Sequence, residues 1–366
     1  MSDNCPCDRY NLFQQIYILS MITGLASDVK DTEQNIQDRL EQCLQGTLPK
    51  LACTWKLSWG PRVFKKVDDP EKQLDNAWFA VVDHTKNICV LAIAGTASDS
   101  MEEYLENLRV NEVVDFNAWV NLWSITQGIP EPGITPPEDI NPELPYCAHG
   151  TSVGVWHVLS NVSTTTAGQD TRIDEYLRTL GPEYTIVVTG HSLGGALSPM
   201  VALGLKQANL LGGHDVKVLP SAGVSPGNDV LARRYAEEFP KDPSAGESYR
   251  VYNLDYYNVY DFVPQAWSLT DVDRNLNNIL GKILHIPAGD LLNELQFLVA
   301  LAVGRSEESG IPYTPLQGQK FEGSPPPPDS IETKEELEEV IGQQHVLAYW
   351  DEIGIRDFMQ PVKDKF

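Results

Sequence analysis

A serine boxed by glycines is the first place where this sequence could do chemistry. Residues Thr189 to Pro199 read TGHSLGGALSP, directly after the apolar run Ile186-Val187-Val188. A strand that runs into Gly-x-Ser-x-Gly and then a helix turns so sharply that the serine is strained. Glycines two positions to either side, Gly190 and Gly194, remove side chains that would clash there. The turn lifts the Ser192 hydroxyl above the sheet edge and sets it at the positive end of a helix, from where it can attack a carbonyl carbon. A free hydroxyl is a poor nucleophile, so this chemistry needs a base and a residue that orients the base. In strand-turn-helix arrangements of this sort they follow the serine in the order acid, then histidine.

Two histidines lie far enough downstream: His285 in GKILHIPAGD and His345 in GQQHVLAYW. His214, in the glycine turn LLGGHDVK, comes too soon and before any candidate acid. His285 falls among the apolar positions of an amphipathic helix, where an imidazole packs or faces solvent. His345 follows Gly342 and precedes Tyr349-Trp350, which reads as a loop residue held by a packed anchor, and is the chosen base. For the acid, YNLDYYNVYDFVPQAW offers Asp255 and Asp261. Asp261 ends the strand-like run and is fixed from behind by Val263-Pro264, whereas Asp255 reads as a strand or turn residue, so Asp261 is preferred.

The elements that must position these residues are legible as short apolar runs. NAWFAVVDH and NICVLAIAG flank the turn at 84–87, and YTIVVTG, VKVLPSAG and YRVYNLDYY follow. Runs apolar at successive positions suit strands covered on both faces. Helix-like segments lie between them, for example 152–180 and the run beginning at Gly194. That alternation predicts an α/β fold with a mostly parallel central sheet flanked by helices. An amphipathic N-terminal helix is expected from Leu12, Phe13, Ile16, Leu19 and Ile22. No linker divides residues 1–366, which are read as one domain with two additions. One addition covers 99–147 and contains Trp119 and Trp123. A helical, proline-rich insertion covers 268–330, with two amphipathic helices expected over 275–303.

Composition bounds the rest. The chain has 366 residues, 42% hydrophobic and 21% charged, which is ordinary for a globular protein. With 51 acidic against 27 basic residues its formal net charge is -24, which repels phosphate backbones and makes nucleic acid a poor partner. No run is long and apolar enough to cross a membrane. The N-terminal stretch lacks the positive lead of a secretory signal, so a cytoplasmic location is expected for the sequence as written, and a secreted one if a signal peptide was removed. Six cysteines, Cys5, Cys7, Cys43, Cys53, Cys89 and Cys147, all fall within the first 147 residues. Cys5-Pro-Cys7 is too tight for a common zinc motif, so no metal is expected and most thiols are expected to be free.

Several short motifs then fall in one order: Ala94-Gly95-Thr96, Ala148-His149-Gly150-Thr151, TGHSLGGA at 189–196, Ser225-Pro226-Gly227-Asn228, the pattern N-x-x-D-x-V-P from Asn258 to Pro264, and His345 with Tyr349-Trp350. Together, over about residues 77–350, they resemble the class 3 lipases, the family of the filamentous fungal lipases. Alanine at 94 stands where that family has arginine, and the 84 residues from Asp261 to His345 (345 minus 261) exceed its usual spacing. The resemblance implies an α/β-hydrolase fold and a Ser192-His345-Asp261 triad. It also implies an oxyanion hole from Thr96 and the backbone N–H of Leu193, a structural role for His149, and a lid just after Thr96, with 99–147 as the lid candidate. The implied activity is carboxylic ester hydrolysis, foremost of acylglycerols at a lipid–water interface, with no metal or organic cofactor. Phospholipase A1 and feruloyl-type esterase activities are alternatives, as are a non-catalytic lipase-like interaction protein and an acyl-binding module.

Overall fold

The computed structural model describes residues 9–94, 109–242 and 248–366. Among the described residues, seven strands form the main sheet: β1 (Trp55–Phe64), β2 (Asn76–Asp83), β3 (Ile88–Ala94), β6 (Thr185–His191), β7 (Asp215–Ser221), β9 (Asp255–Asn258) and β11 (Gly318–Phe321), side by side in that order. β1, β2 and β3 pair antiparallel, and β3, β6, β7, β9 and β11 run parallel. The expected mostly parallel sheet is therefore present. A second, antiparallel sheet joins β4 (Val113–Asp115), β5 (Tyr146–Ala148), β8 (Gly227–Asn228) and β10 (Tyr313–Thr314).

The continuous apolar runs are explained by the pleat. Successive side chains on a strand point to opposite faces, so one strand serves two cores. Trp78, Ala80 and Val82 of β2, with Leu91 and Ile93 of β3, enter a core shared with helices His149–Ser160 and Leu193–Gln207. Ala77, Phe79 and Val81, with Val90 and Ala92, enter a second core under helices Leu12–Leu25, Glu33–Leu51, Ala348–Ile353 and Arg356–Lys363.

Several expectations change. The helix Leu12–Leu25 begins in a capping box between Asn11 and Gln14, as its sequence allows. It is buried almost all round and not amphipathic, because it lies between the sheet and neighbouring helices. Segment 152–180 is two helices, His149–Ser160 and Ile173–Thr179, with a loop between. The first helix expected within 275–303 shrinks to a five-residue π-helix, Ile279–Ile283, which leaves His285 exposed in an irregular stretch; the second is the long helix Asp290–Glu308. β1 was not anticipated, since Gly60-Pro61 interrupts its pattern and its register against β2 shifts twice.

The lid candidate 99–147 lies partly among the described residues. Trp119 and Trp123 are buried in the first core, where the Trp123 ring fills the space that a side chain at Gly204 would need. Its residues 99–108 lie outside the described residues, as does Thr96. Cys53 is disulfide-bonded, while Cys43, Cys89 and Cys147 are free thiols. Among the described residues no helix is long and apolar enough to cross a membrane.

Candidate active site

Ser192 sits between the end of β6 and the first turn of helix Leu193–Gln207, with φ 61° and ψ -129°. Such a backbone costs a non-glycine residue about 1–3 kcal/mol, and persists only where the surroundings over-determine it. The glycines supply the clearance expected of them. A Cβ on Gly190 would lie 2.2 Å from the Gly194 carbonyl oxygen, and one on Gly194 would lie 2.2 Å from that of Ile93 in β3. The Ser192 amide donates to the Ser221 carbonyl oxygen at 3.0 Å, tying the turn to β7. Leu193 is the first helical residue, so its N–H belongs to the turn of amides that have no acceptor within the helix.

The three residues singled out in the sequence meet here. His345 Nε2 is 2.9 Å from Ser192 Oγ, and His345 Nδ1 is 2.8 Å from Asp261 Oδ2. Asp261 is fully buried just beyond β9. Its Oδ1 accepts from the Val263 amide at 3.0 Å, and its Oδ2 also accepts from the Tyr349 hydroxyl at 2.9 Å. The carboxylate thus has three donors, of which only the imidazole lies toward the serine. Burial, then the nearby Asp261 charge, push the Tyr349 phenol well above its usual range, so it stays a donor.

Asp255, the acid set aside, pairs with Arg274 at 3.0 Å and accepts from the Gly223 amide at 3.1 Å. Burial raises its pKa to about 6, against the opposing pull of Arg274. It is a strut between β9 and the insertion and has no contact with Ser192 or His345 in the hydrogen-bond network.

His345 is not in a loop. It occupies a π-helix, Gln343–Leu347, set between helices Lys334–Gly342 and Ala348–Ile353. Single π turns recur at functional sites because they re-aim one side chain within a helix. What brings it back across 84 residues is Asn258. The Asn258 side-chain amide donates to the Gln344 carbonyl at 3.0 Å and to Gln344 Oε1 at 2.8 Å, while its oxygen accepts from the Gly323 amide at 2.8 Å. Gln344 in turn donates to the Pro325 carbonyl at 2.7 Å. The proline-rich connector, the turn that carries Asp261 and the turn that carries His345 are therefore joined through the Asn258 and Gln344 amides. His149, expected to be structural, lies 3.1 Å from Glu112, which precedes β4.

The sheet order, the strained serine at a strand-to-helix turn and the buried carboxylate after a later strand define an α/β-hydrolase fold. Residues 135–270, a little over a third of the chain, match the family model described as Lipase (class 3). The match takes in Ser192 and Asp261, while His345 and Thr96 lie beyond it. Among solved structures, M37 lipase superposes with a TM-score of 0.69 over 96% of this chain and 97% of that one, at 19% identity. Lip2 lipase from Yarrowia lipolytica aligns over 71% of this chain and 75% of its own, with a TM-score of 0.39 and 19% identity. The mono- and diacylglycerol lipase from Aspergillus oryzae aligns over 71% and 76%, with 0.38 and 18%. No curated protein sequence matches the chain. At such identities the likeness to M37 lipase speaks for the fold alone; the family match carries the coarse activity, ester hydrolysis of the lipase type.

Proposed function

We propose that this chain hydrolyses carboxylic esters, foremost acylglycerols, through an acyl-enzyme on Ser192. Ser192 Oγ attacks the ester carbonyl as His345 Nε2 takes its proton, and the imidazolium then passes that proton to the leaving alcohol. Asp261 holds the Nδ1–H tautomer and stabilises the positive ring. Water repeats the cycle on the acyl-enzyme and frees the acid. The tetrahedral oxyanion is assigned to the Leu193 N–H and to Thr96, the latter outside the described residues. This mechanism uses side chains and backbone only and needs no metal or organic cofactor. The apolar faces of the insertion are proposed to meet the lipid–water interface.

The observation that carries the reading is the unbroken chain from Ser192 Oγ through the two His345 nitrogens to buried Asp261, at 2.9 and 2.8 Å. The experiment is a chain-length series of nitrophenyl esters and triglycerides, run with the wild type and Ser192→Ala and joined to organophosphonate labelling. A loss of about 10⁴-fold or more in kcat is expected in the variant, together with loss of the label. A rate that persists in Ser192→Ala removes the reading. Hydrolysis confined to phospholipids or to feruloyl esters keeps the chemistry and replaces the substrate.

A further inference from the structure

His191 stands beside the nucleophile at the end of β6 and takes no part in the proton path, yet both of its ring nitrogens are engaged. Nε2 is 2.8 Å from the carbonyl oxygen of His345, and Nδ1 is 2.9 Å from Ser221 Oγ. A carbonyl oxygen only accepts, so Nε2 carries the proton. Nδ1 of the neutral ring is then an acceptor, and the Ser221 hydroxyl donates to it. The carbonyl of the same Ser221 holds the Ser192 amide at 3.0 Å. One serine at the end of β7 therefore grips the main chain of the nucleophile directly, and the main chain of the base through His191.

The grip falls where the helix is weakest. In a π-helix the regular i to i-4 pairing of carbonyls with amides is interrupted, so a donor from outside can fix a turn that the helix alone leaves loose. The His191 ring also lies 4.8 Å from the His345 ring and 4.9 Å from that of Tyr349, centre to centre, so it is packed as well as bonded. We propose that His191 is a positioning residue for the proposed ester hydrolysis, holding the His345 main chain in register with Ser192 as the Nε2–H tautomer that Ser221 selects. It keeps its single proton throughout and passes none to substrate. Desolvation, and then the charge that His345 acquires, hold its pKa well below the ordinary imidazole range, so no second cation forms beside the catalytic imidazolium.

The test compares His191→Phe, which keeps a ring and loses the donor, with His191→Gln, whose amide nitrogen can stand near the place of Nε2, and with Ser221→Ala. On a dissolved short-chain nitrophenyl ester, His191→Phe should lower kcat about 10- to 100-fold, the size of effect that a small misplacement of a catalytic group produces, with KM nearly unchanged. His191→Gln should recover most of the loss. Ser221→Ala should lose less than His191→Phe and add little to it, because the two act as one unit. A readout free of turnover is the low-field proton resonance of His345 Nδ1–H. It should be sharp in the wild type, lost in His191→Phe and regained in His191→Gln. If His191→Phe keeps kcat within about twofold, or the resonance is unchanged, the positioning role is overturned. It is overturned equally if His191→Gln falls as far as His191→Phe. If the resonance responds as expected but the wild type cleaves no ester, the positioning stands and the ester hydrolase reading falls.

Discussion

The surroundings of Ser192 and the helix Asp290–Glu308 handle their side chains in opposite ways. Around the serine, Asp261, Asn258, His191 and Tyr349 each have at least two hydrogen-bond partners drawn from distant parts of the chain. The helix is rich in Leu, Val and Ala, yet only Ala302 and Ser306 are buried, and Phe297 is 65% exposed. Its charges stand at its ends, in Asp290 and Glu294 and again in Arg305, Glu307 and Glu308, leaving the stretch from Leu295 to Gly304 uncharged. One region spends its interactions on geometry, since a reacting group displaced by an ångström costs rate. The other packs Leu291, Leu295, Leu301 and Val303 only in part and leaves Phe297 open to solvent, as surfaces that meet another phase or partner do. If this contrast is right, substitutions in the two regions should differ in size and in kind.

The largest effect is expected at the stitch between them. Arg274 leaves the insertion to pair with Asp255 at the start of β9 and donates to the Leu316 carbonyl. Arg274→Met strands a buried carboxylate and should cost about 3–5 kcal/mol in urea unfolding. The pH dependence has a definite sign. The folded pKa of Asp255, about 6, lies above its unfolded value near 3.8, so its contribution is full below about pH 4 and is lost as pH rises through about 6. Without Arg274 the folded value climbs further. The gap between variant and wild type should therefore be narrow near pH 4.5 and wide at pH 8. A uniform gap, or one under about 1 kcal/mol, would mean that the strut is not a strut.

An intermediate effect belongs to Tyr349, whose hydroxyl donates to Asp261 and accepts from the Asn258 amide at 3.0 Å. Tyr349→Phe removes one oxygen and leaves both partners short. It should cost about 1–3 kcal/mol of stability and lower kcat about tenfold by loosening the acid that orients His345. An unchanged kcat at reduced stability would show that Asp261 is held well enough by Val263 and His345 alone.

These residues also mark how far the sequence could be read. Ser192 and its glycines were legible because the whole device lies within a few residues, and β2, β3, β6 and β7 because buried parallel strands leave unbroken apolar runs. The choice of Asp261 over Asp255 rested on local turn chemistry. By contrast, the His191–His345 and Asn258–Gln344 bonds join positions 154 and 86 residues apart, and such pairs leave no periodicity in a sequence. The π-helix was missed because a five-residue turn between two helices has no pattern of its own. Read as a helix, it would have placed His345 and Tyr349 four residues apart on one face, both able to reach the same carboxylate.

The smallest effect on stability, and the sharpest test of the contrast, is Phe297→Asp. An exposed residue with so little to lose should change stability by no more than about 0.5 kcal/mol, and turnover of a dissolved short-chain ester should stay at the wild-type rate. On an emulsified triglyceride the rate should fall, since a carboxylate in the middle of the uncharged stretch opposes burial in an apolar phase. A triglyceride rate equal to the wild type would deny the helix any part in meeting the interface. A loss of several kcal/mol would show that Phe297 is a folding residue, and the contrast between the two regions would then be one of degree. Only the combination of intact stability, intact turnover in solution and impaired turnover on the emulsion separates a surface kept for contact from one that merely packs poorly.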